Sequence, residues 1–258
     1  MALVRFEQAG EIARITLARS QAGNAVNPAL IADLGAAVDA ASAARPRSVL
    51  ITAEGPNFSM GGDLKHLLAA GEDVAGELER MAQGFHDAQL RLIDIGVPIV
   101  AAVRGNVIGG GFGLALTSDY LLCSDQARFS TGYSRLGLST DAGVSFFLTR
   151  ALGMRRARLL LMDARFFAAD DAVALGIADR KLPDDQLDAA ALALAEELAQ
   201  GPTAAYAAIR RLTEAATTNS LAAQLDLEAS EIVALARRED VRAALSAPLT
   251  RSKPVFTR

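Results

Sequence analysis

Two glycine-rich stretches and a few ionisable side chains carry the chemistry open to this chain. Met60-Gly61-Gly62-Asp63 and Gly109-Gly110-Gly111 each follow a strand-forming run and precede a helical pattern. Glycine lets backbone N–H groups approach a ligand closely and adopt positive φ. A helix start adds unpaired donors and partial positive charge. Two such stretches meeting at one point would make an oxyanion hole, a pair of amides that stabilise a carbonyl oxygen as it becomes negative. Losing one such donor slows a reaction by about 100- to 1,000-fold. For either stretch alone, an ordinary tight turn is the competing reading. Asp141, in Leu138-Ser139-Thr140-Asp141-Ala142-Gly143, precedes a helical pattern. It reads either as a helix N-cap worth ~1 kcal/mol or as an acid–base group. His86 lies on an amphipathic helix, where a half-buried packing residue is the plain reading, and His66 beside Lys65 reads as a solvated surface histidine. Cys123, the only cysteine, sits in a strand pattern and reads as a small core residue. One cysteine and two histidines leave no disulfide, no cysteine-rich zinc site and no three-histidine metal site.

Strand and helix signals alternate through the first half and must position these residues. Leu3 to Gln8 and Ile12 to Leu17 predict a hairpin around Ala9-Gly10. Asn27 followed by Pro28 predicts a helix start, with Ile31, Leu34, Val38 and Ala41 facing the core. Ser48 to Ala53 and Ile99 to Val103 are buried-strand runs, separated by a long helix marked by Val74, Leu78, Met81, Phe85 and Leu92. Further strands are predicted at Tyr120 to Ser124, at Ala127 to Phe129 and near Ala178 to Leu182, and the rest after about residue 142 is helical. Gly201-Pro202 is the best boundary signal, giving an α/β core over 1–200 and an all-helical part over 201–258. Leu221, Leu225, Ile232 and Leu235 form one stripe in that part.

The chain has 258 residues, 51% hydrophobic and 22% charged, a composition that buries a sizeable core. Its net charge of -4 speaks against a general nucleic-acid binder. The charged N-terminus does not read as a signal peptide and no apolar run is of membrane-spanning length, so a cytoplasmic protein is expected. Gly109 to Leu114 does not fit the dinucleotide fingerprint, and no P-loop, H-E-x-x-H or G-x-S-x-G element occurs.

Five segments, in order along the chain, resemble the enoyl-CoA hydratase/isomerase (crotonase) family. They are Asn24-Ala25-Val26-Asn27, Asn57 through Lys65, Pro98 through Asp119, Ala174-Leu175-Gly176-Ile177-Ala178, and Arg251-Ser252-Lys253-Pro254-Val255-Phe256. The resemblance implies an α/β fold, a spiral of ββα units with a C-terminal helical region that drives trimerisation, giving a homotrimer or a dimer of trimers. It implies an acyl-CoA thioester substrate, with CoA as part of the substrate and no separate cofactor or metal. It implies that the N–H groups of Gly62 and Gly110 hold the thioester oxygen and stabilise an enolate. Backbone around Ala25 and around Met60, Gly61 and Gly62 would line the CoA path, and Lys253 and Phe256 would reach CoA from a neighbouring subunit.

The family's hydratases use two glutamates, and this chain departs at both: Gly113 stands at the first position and Tyr133 at the second. Glycine has no acid–base group, and a tyrosine hydroxyl with a pKa of about 10 is a poor base near neutrality. Asp141 matches the place where the family's ring-epoxyphenylacetyl-CoA and enoyl-CoA isomerases, and its 4-chlorobenzoyl-CoA dehalogenases, carry aspartate. By spacing, His86 resembles the dehalogenases' water-activating histidine and Tyr133 stands where they carry tryptophan. The leading expectation is therefore an isomerase in which Asp141 shuttles the proton. The alternatives are hydrolytic or dehalogenating chemistry by Asp141 with His86, and a catalytically inert CoA-ester or RNA binder. Proton shuttling calls for burial of Asp141 beside apolar groups such as Phe146 and Phe147. Gly113 and Gly132 are expected to widen the acyl pocket.

Overall fold

The computed structural model describes residues 2–250 and 254–257. The chain runs β1 (Val4–Ala9), β2 (Ile12–Leu17), α1 (Pro28–Ala44), β3 (Ser48–Ala53), α2 (Leu64–Ala69) and α3 (Val74–Asp94). It continues with β4 (Ile99–Val103), β5 (Asn106–Ile108), α4 (Gly109–Leu116), β6 (Tyr120–Ser124), β7 (Arg128–Ser130), α5 (Val144–Leu152) and α6 (Met154–Asp163). β8 (Phe167–Ala168), α7 (Ala169–Ala174), β9 (Arg180–Leu182), α8 (Asp184–Gln200), α9 (Thr203–Ala215), α10 (Leu221–Ala236) and α11 (Glu239–Thr250) complete it.

β1 and β2 form the predicted antiparallel hairpin, and β2, β3, β4, β6 and β9 then run parallel in that order. Parallel strands covered on both faces read as continuous apolar runs, which is why Ser48–Ala53 and Ile99–Val103 are legible from sequence. On β3, Val49 and Ile51 join the core under α1 and α3, while Leu50 joins Leu187, Leu194 and Leu198 of α8 on the other face. Each fully buried aliphatic side chain of this kind contributes about 1.5–3 kcal/mol.

A second, smaller layer holds β5, β7 and β8. Single bridges extend it, Val26 to Gly62 and Ser59 to Val107. The repeat is thus a strand in the large sheet, a short extended segment in the small layer, and then a helix. Phe112 of α4 packs with Phe129 and Phe167 below this layer, ring centroids 5.4–6.1 Å apart. β5 and β8 were not predicted; at three and two residues they carry too few side chains for a period to register.

Asn27 caps α1 as predicted, its side chain accepting from the Leu30 N–H at 2.9 Å with Pro28 behind it. The chain breaks at Gly201-Pro202, where the buried Arg47 donates to the carbonyls of Ala199 and Gly201. Cys123 is fully buried, and burial pushes its thiol up to about 11. His66 corrects its expectation. Its Nε2 lies 2.5 Å from Oε1 of Glu77, joining α2 to α3, because the short turn after α2 folds α3 back alongside it. No described helix is long and apolar enough to cross a membrane.

Candidate active site

Successive repeats bring the two glycine stretches together because each ends its small-layer segment where a helix begins. Val26 N–H donates to the Gly61 carbonyl at 2.7 Å, and Asp63 N–H donates to the Val26 carbonyl at 2.8 Å. Ser59 pairs with the next repeat, Ile108 N–H donating to its carbonyl at 3.0 Å. Gly61, at φ +81°, faces Ile108 and Gly109 so closely that a Cβ there would lie 3.1 Å from the Ile108 carbonyl oxygen. Only glycine combines that φ with that approach. Among the described residues, the Gly62 and Gly110 N–H groups have no protein acceptor. Gly110 lies in the first turn of α4, where helix N–H groups are left over.

Both stretches line one cavity of about 320 Å³, whose walls are otherwise largely apolar: Val26, Ile31, Leu64, Leu67, Leu78, Met81, Phe85 and Ile108 among them. Met60, Gly61, Gly132, Tyr133 and Asp141 line it too, and Asp141 is the only carboxylate that does so among the described residues. Met60 is 43% exposed, consistent with a place at the mouth.

Asp141 is distant from the glycine stretches in sequence but shares their cavity. Its Oδ1 lies 2.7 Å from Nε2 of His86 on α3. When the carboxylate is ionised, the ring N–H donates to it. The two side chains are 43% and 42% exposed, so the expected burial of Asp141 is not met. The cause is that Phe146 turns outward, 49% exposed with the Arg150 guanidinium stacked 3.4 Å from its ring, and Phe147 packs onto Phe146 and Gly143 instead. The N-cap reading of Asp141 is also overturned: α5 begins at Val144 after Gly143, with no side chain capping it.

Gly113 requires another correction. It opens no pocket, because the turn carrying Asp141 lies directly on it: a Cβ on Gly113 would meet the Ala142 carbonyl oxygen at 2.2 Å. The volume a side chain would need is filled by Ala142, itself buried at φ +54°. A left-handed alanine costs of order 1 kcal/mol and persists only where its surroundings fix it. Gly132 does line the cavity, at φ +77°.

Tyr133 faces the cavity, and burial, helped by the nearby Asp141 charge, drives its hydroxyl well above the usual tyrosine range. It stays protonated and accepts no proton. Ala25 is buried outside the cavity wall, its carbonyl accepting from Arg19 Nη1 at 2.7 Å. Arg19 also pairs with Asp63 at 2.7 Å, and Asp63 accepts from the N–H groups of Lys65 and His66 at the start of α2. Burial pushes the Asp63 carboxyl up, but Arg19 and these two N–H groups outweigh it and hold the group below the usual carboxylate range. Phe256 is half-buried in the terminal segment, where Thr257 bonds Asp240 at 2.8 Å, and it does not line the cavity within the chain. Lys253 lies outside the described residues.

Residues 7–258 match the model of a family described as enoyl-CoA hydratase/isomerase. The chain belongs to the enoyl-CoA hydratase/isomerase family. A Rhodobacter capsulatus protein named as a probable enoyl-CoA hydratase is 34% identical over 258 residues, covering 98% of this chain and 97% of that protein. The 1,2-epoxyphenylacetyl-CoA isomerase of Escherichia coli is 32% identical over 212 residues, covering 82% and 81%. The crystal structure of an enoyl-CoA hydratase from Polaromonas sp. JS666 superposes with a TM-score of 0.92 at 29% identity, covering 98% of this chain and 99% of that one. The fold of this family member is therefore the crotonase fold, as the sequence resemblance implied.

Sequence reasoning missed Arg135, Leu136 and Phe166 on the cavity wall. Their signal is tertiary, since Arg135 approaches Phe166, on the far side of α5 and α6 in sequence, 5.8 Å from the ring centroid. It also passed over Gln89, a polar residue on the apolar face of α3 beside Phe85 and Leu92. That break in pattern was visible.

Proposed function

We propose that this family member is an acyl-CoA isomerase that moves a proton through a thioester enolate. One observation carries the reading: a single carboxylate, Asp141, shares an apolar cavity with two glycine stretches whose N–H groups have no protein acceptor. The N–H groups of Gly62 and Gly110 donate to the thioester oxygen as charge develops there. Asp141 takes the proton from C2 and returns it further along the chain, and His86 holds the carboxylate by its other contact. Gly113 and the protonated Tyr133 supply no base for a two-glutamate hydration, which favours isomerisation over hydration. CoA needs no partner cofactor in this reading. Asp141→Asn, assayed with a panel of saturated, 3-enoyl and arylacetyl CoA esters in deuterated water, loses C2 exchange and double-bond migration by about 1,000-fold and keeps ester binding. Undiminished exchange in that variant, or no exchange with any ester in the wild-type chain, defeats the proposal.

The 2.7 Å contact between Asp141 and His86 favours one second reading, in which Asp141 attacks an aryl carbon and displaces its halide, or attacks the thioester carbonyl and displaces the CoA thiolate, and His86 activates the water that hydrolyses the resulting Asp141 ester. A covalently modified Asp141 peptide trapped during turnover supports that reading, and its absence under turnover opposes it. We further propose that the chain acts as a homotrimer or a dimer of trimers. Support comes from α10, whose Leu221, Leu225, Ile232 and Val233 are 76%, 54%, 68% and 51% exposed in the single chain. A cytoplasmic location accords with the absence of a membrane-spanning helix among the described residues.

A further inference from the structure

The turn that carries Asp141 has an unfavourable backbone and three separate supports. Ala142 and Gly143 are both left-handed, at φ +54° and +72°. Beneath them, Gly113 leaves room for the Ala142 carbonyl, which no other residue at 113 would allow. From the side comes α3. His86 and Gln89 are three residues apart on that helix and therefore share a face. His86 meets the Asp141 carboxylate, and Gln89, only 5% exposed, donates from Nε2 to the Ala142 carbonyl oxygen at 3.2 Å. A primary amide buried beside Phe85, Ala88 and Leu92 is unfavourable unless bonded. Among the described residues, its one side-chain hydrogen bond goes to the peptide that links Asp141's turn to α5.

We infer that Gln89 is a positioning residue for Asp141. It touches neither the cavity nor the reacting carboxylate. It fixes the Ala142–Gly143 peptide, one residue past Asp141, so that the carboxylate points at the cavity and at His86 together. Without that bond, the left-handed pair relaxes toward a conformation alanine prefers, and Asp141 swings with it. This role rests on the proposed use of Asp141 as the proton shuttle, but the placement itself is readable without turnover.

The test uses Gln89→Met, which keeps the volume and removes the donor, in the full chain with ¹⁵N-labelled histidine. The chain has two histidines, so the ring signals of His86 are assigned by difference from His66. Gln89→Met is expected to move the His86 ring-nitrogen shifts most of the way to those of Asp141→Asn, leaving His66 unmoved and the fold intact by circular dichroism. In the deuterium-exchange assay, kcat falls about tenfold or more with KM within about twofold. The same change in an Asp141→Asn background costs nothing further. Gln89→Glu, a donor only when its carboxyl is protonated, recovers part of the exchange as pH is lowered. Unmoved His86 signals in Gln89→Met, or a further tenfold loss in the Asp141→Asn background, overturns the inference alone. Unchanged exchange in Asp141→Asn instead removes the proposed function, while the ring-nitrogen shifts still report whether Gln89 places the carboxylate.

Discussion

The two sides of the cavity are built from different materials. On one side, Gly62 and Gly110 offer backbone N–H groups, held by Val26, Ser59 and Ile108 through main-chain bonds of 2.7–3.0 Å. On the other, Asp141 offers a side chain, met from outside the cavity wall by His86 55 residues away and seated by the Gln89 amide and the fit of Ala142 on Gly113. The amide side tolerates many side chains but depends on glycine where backbones approach. The acid–base side depends on particular atoms reaching across from another helix. In the proposed reaction, oxyanion stabilisation would come from the repeat, and the choice of reaction from a turn seated on it.

Substitutions sharpen that contrast when ordered by expected effect. Gly110→Pro deletes an amide N–H at a helix start, where proline is tolerated. The exchange rate should fall by about 100- to 1,000-fold, with Asp141 and His86 undisturbed by the ring-nitrogen criterion. A fall of less than tenfold would mean that Gly110 N–H does not hold the oxyanion. Gly113→Ala attacks the other side. Its Cβ collides with the Ala142 carbonyl, so stability should fall by about 1–3 kcal/mol and exchange by ~10-fold or more, while ester affinity held by the amides survives. Equal loss of affinity and rate would contradict the division.

Two smaller effects test the supports. Asp63→Asn breaks the largely buried pair with Arg19 beside the Gly62 amide. A loss of about 2 kcal/mol is expected, between an exposed and a fully buried pair, measured by urea unfolding. Because Asp63 titrates below its unfolded value, its contribution is fully present above the ordinary carboxylate range. It disappears as pH falls through the lowered folded value. The difference between wild type and variant should therefore shrink in acid, and a difference that grew there would contradict the pairing. Tyr133→Phe should have the smallest effect, less than about 10-fold, short of the ~100-fold a general base contributes. With the Tyr133 hydroxyl held protonated by burial, the alkaline limb of the pH profile should not move.

The central strands of the large sheet were legible because a parallel strand covered on both faces must be apolar throughout, as Ile99–Val103 is, with every residue buried. Asn27 with Pro28 marked the start of α1 for an equally local reason. The glycine stretches were legible as a pair because their residue type reports backbone geometry directly. Asp141 was noticed, but its surroundings were misjudged, since Phe146 and Phe147 are neighbours in sequence that turn away from it in space. Gly113 was read as empty space because a sequence cannot say what fills the volume a side chain leaves.

By itself, then, the sequence determined the succession of the main strands and helices along the chain, the glycine positions that bring amides forward, and the family those patterns mark. Local preferences suffice for that, because periodicity, capping and left-handed glycine all act within a few residues. Only the tertiary structure decided that His86 meets Asp141, that Gln89 holds Ala142, and that Gly113 seats the turn. Those contacts join residues from 29 to 55 positions apart, and their existence depends on how α3, α4 and the turn before α5 pack, which no local preference encodes.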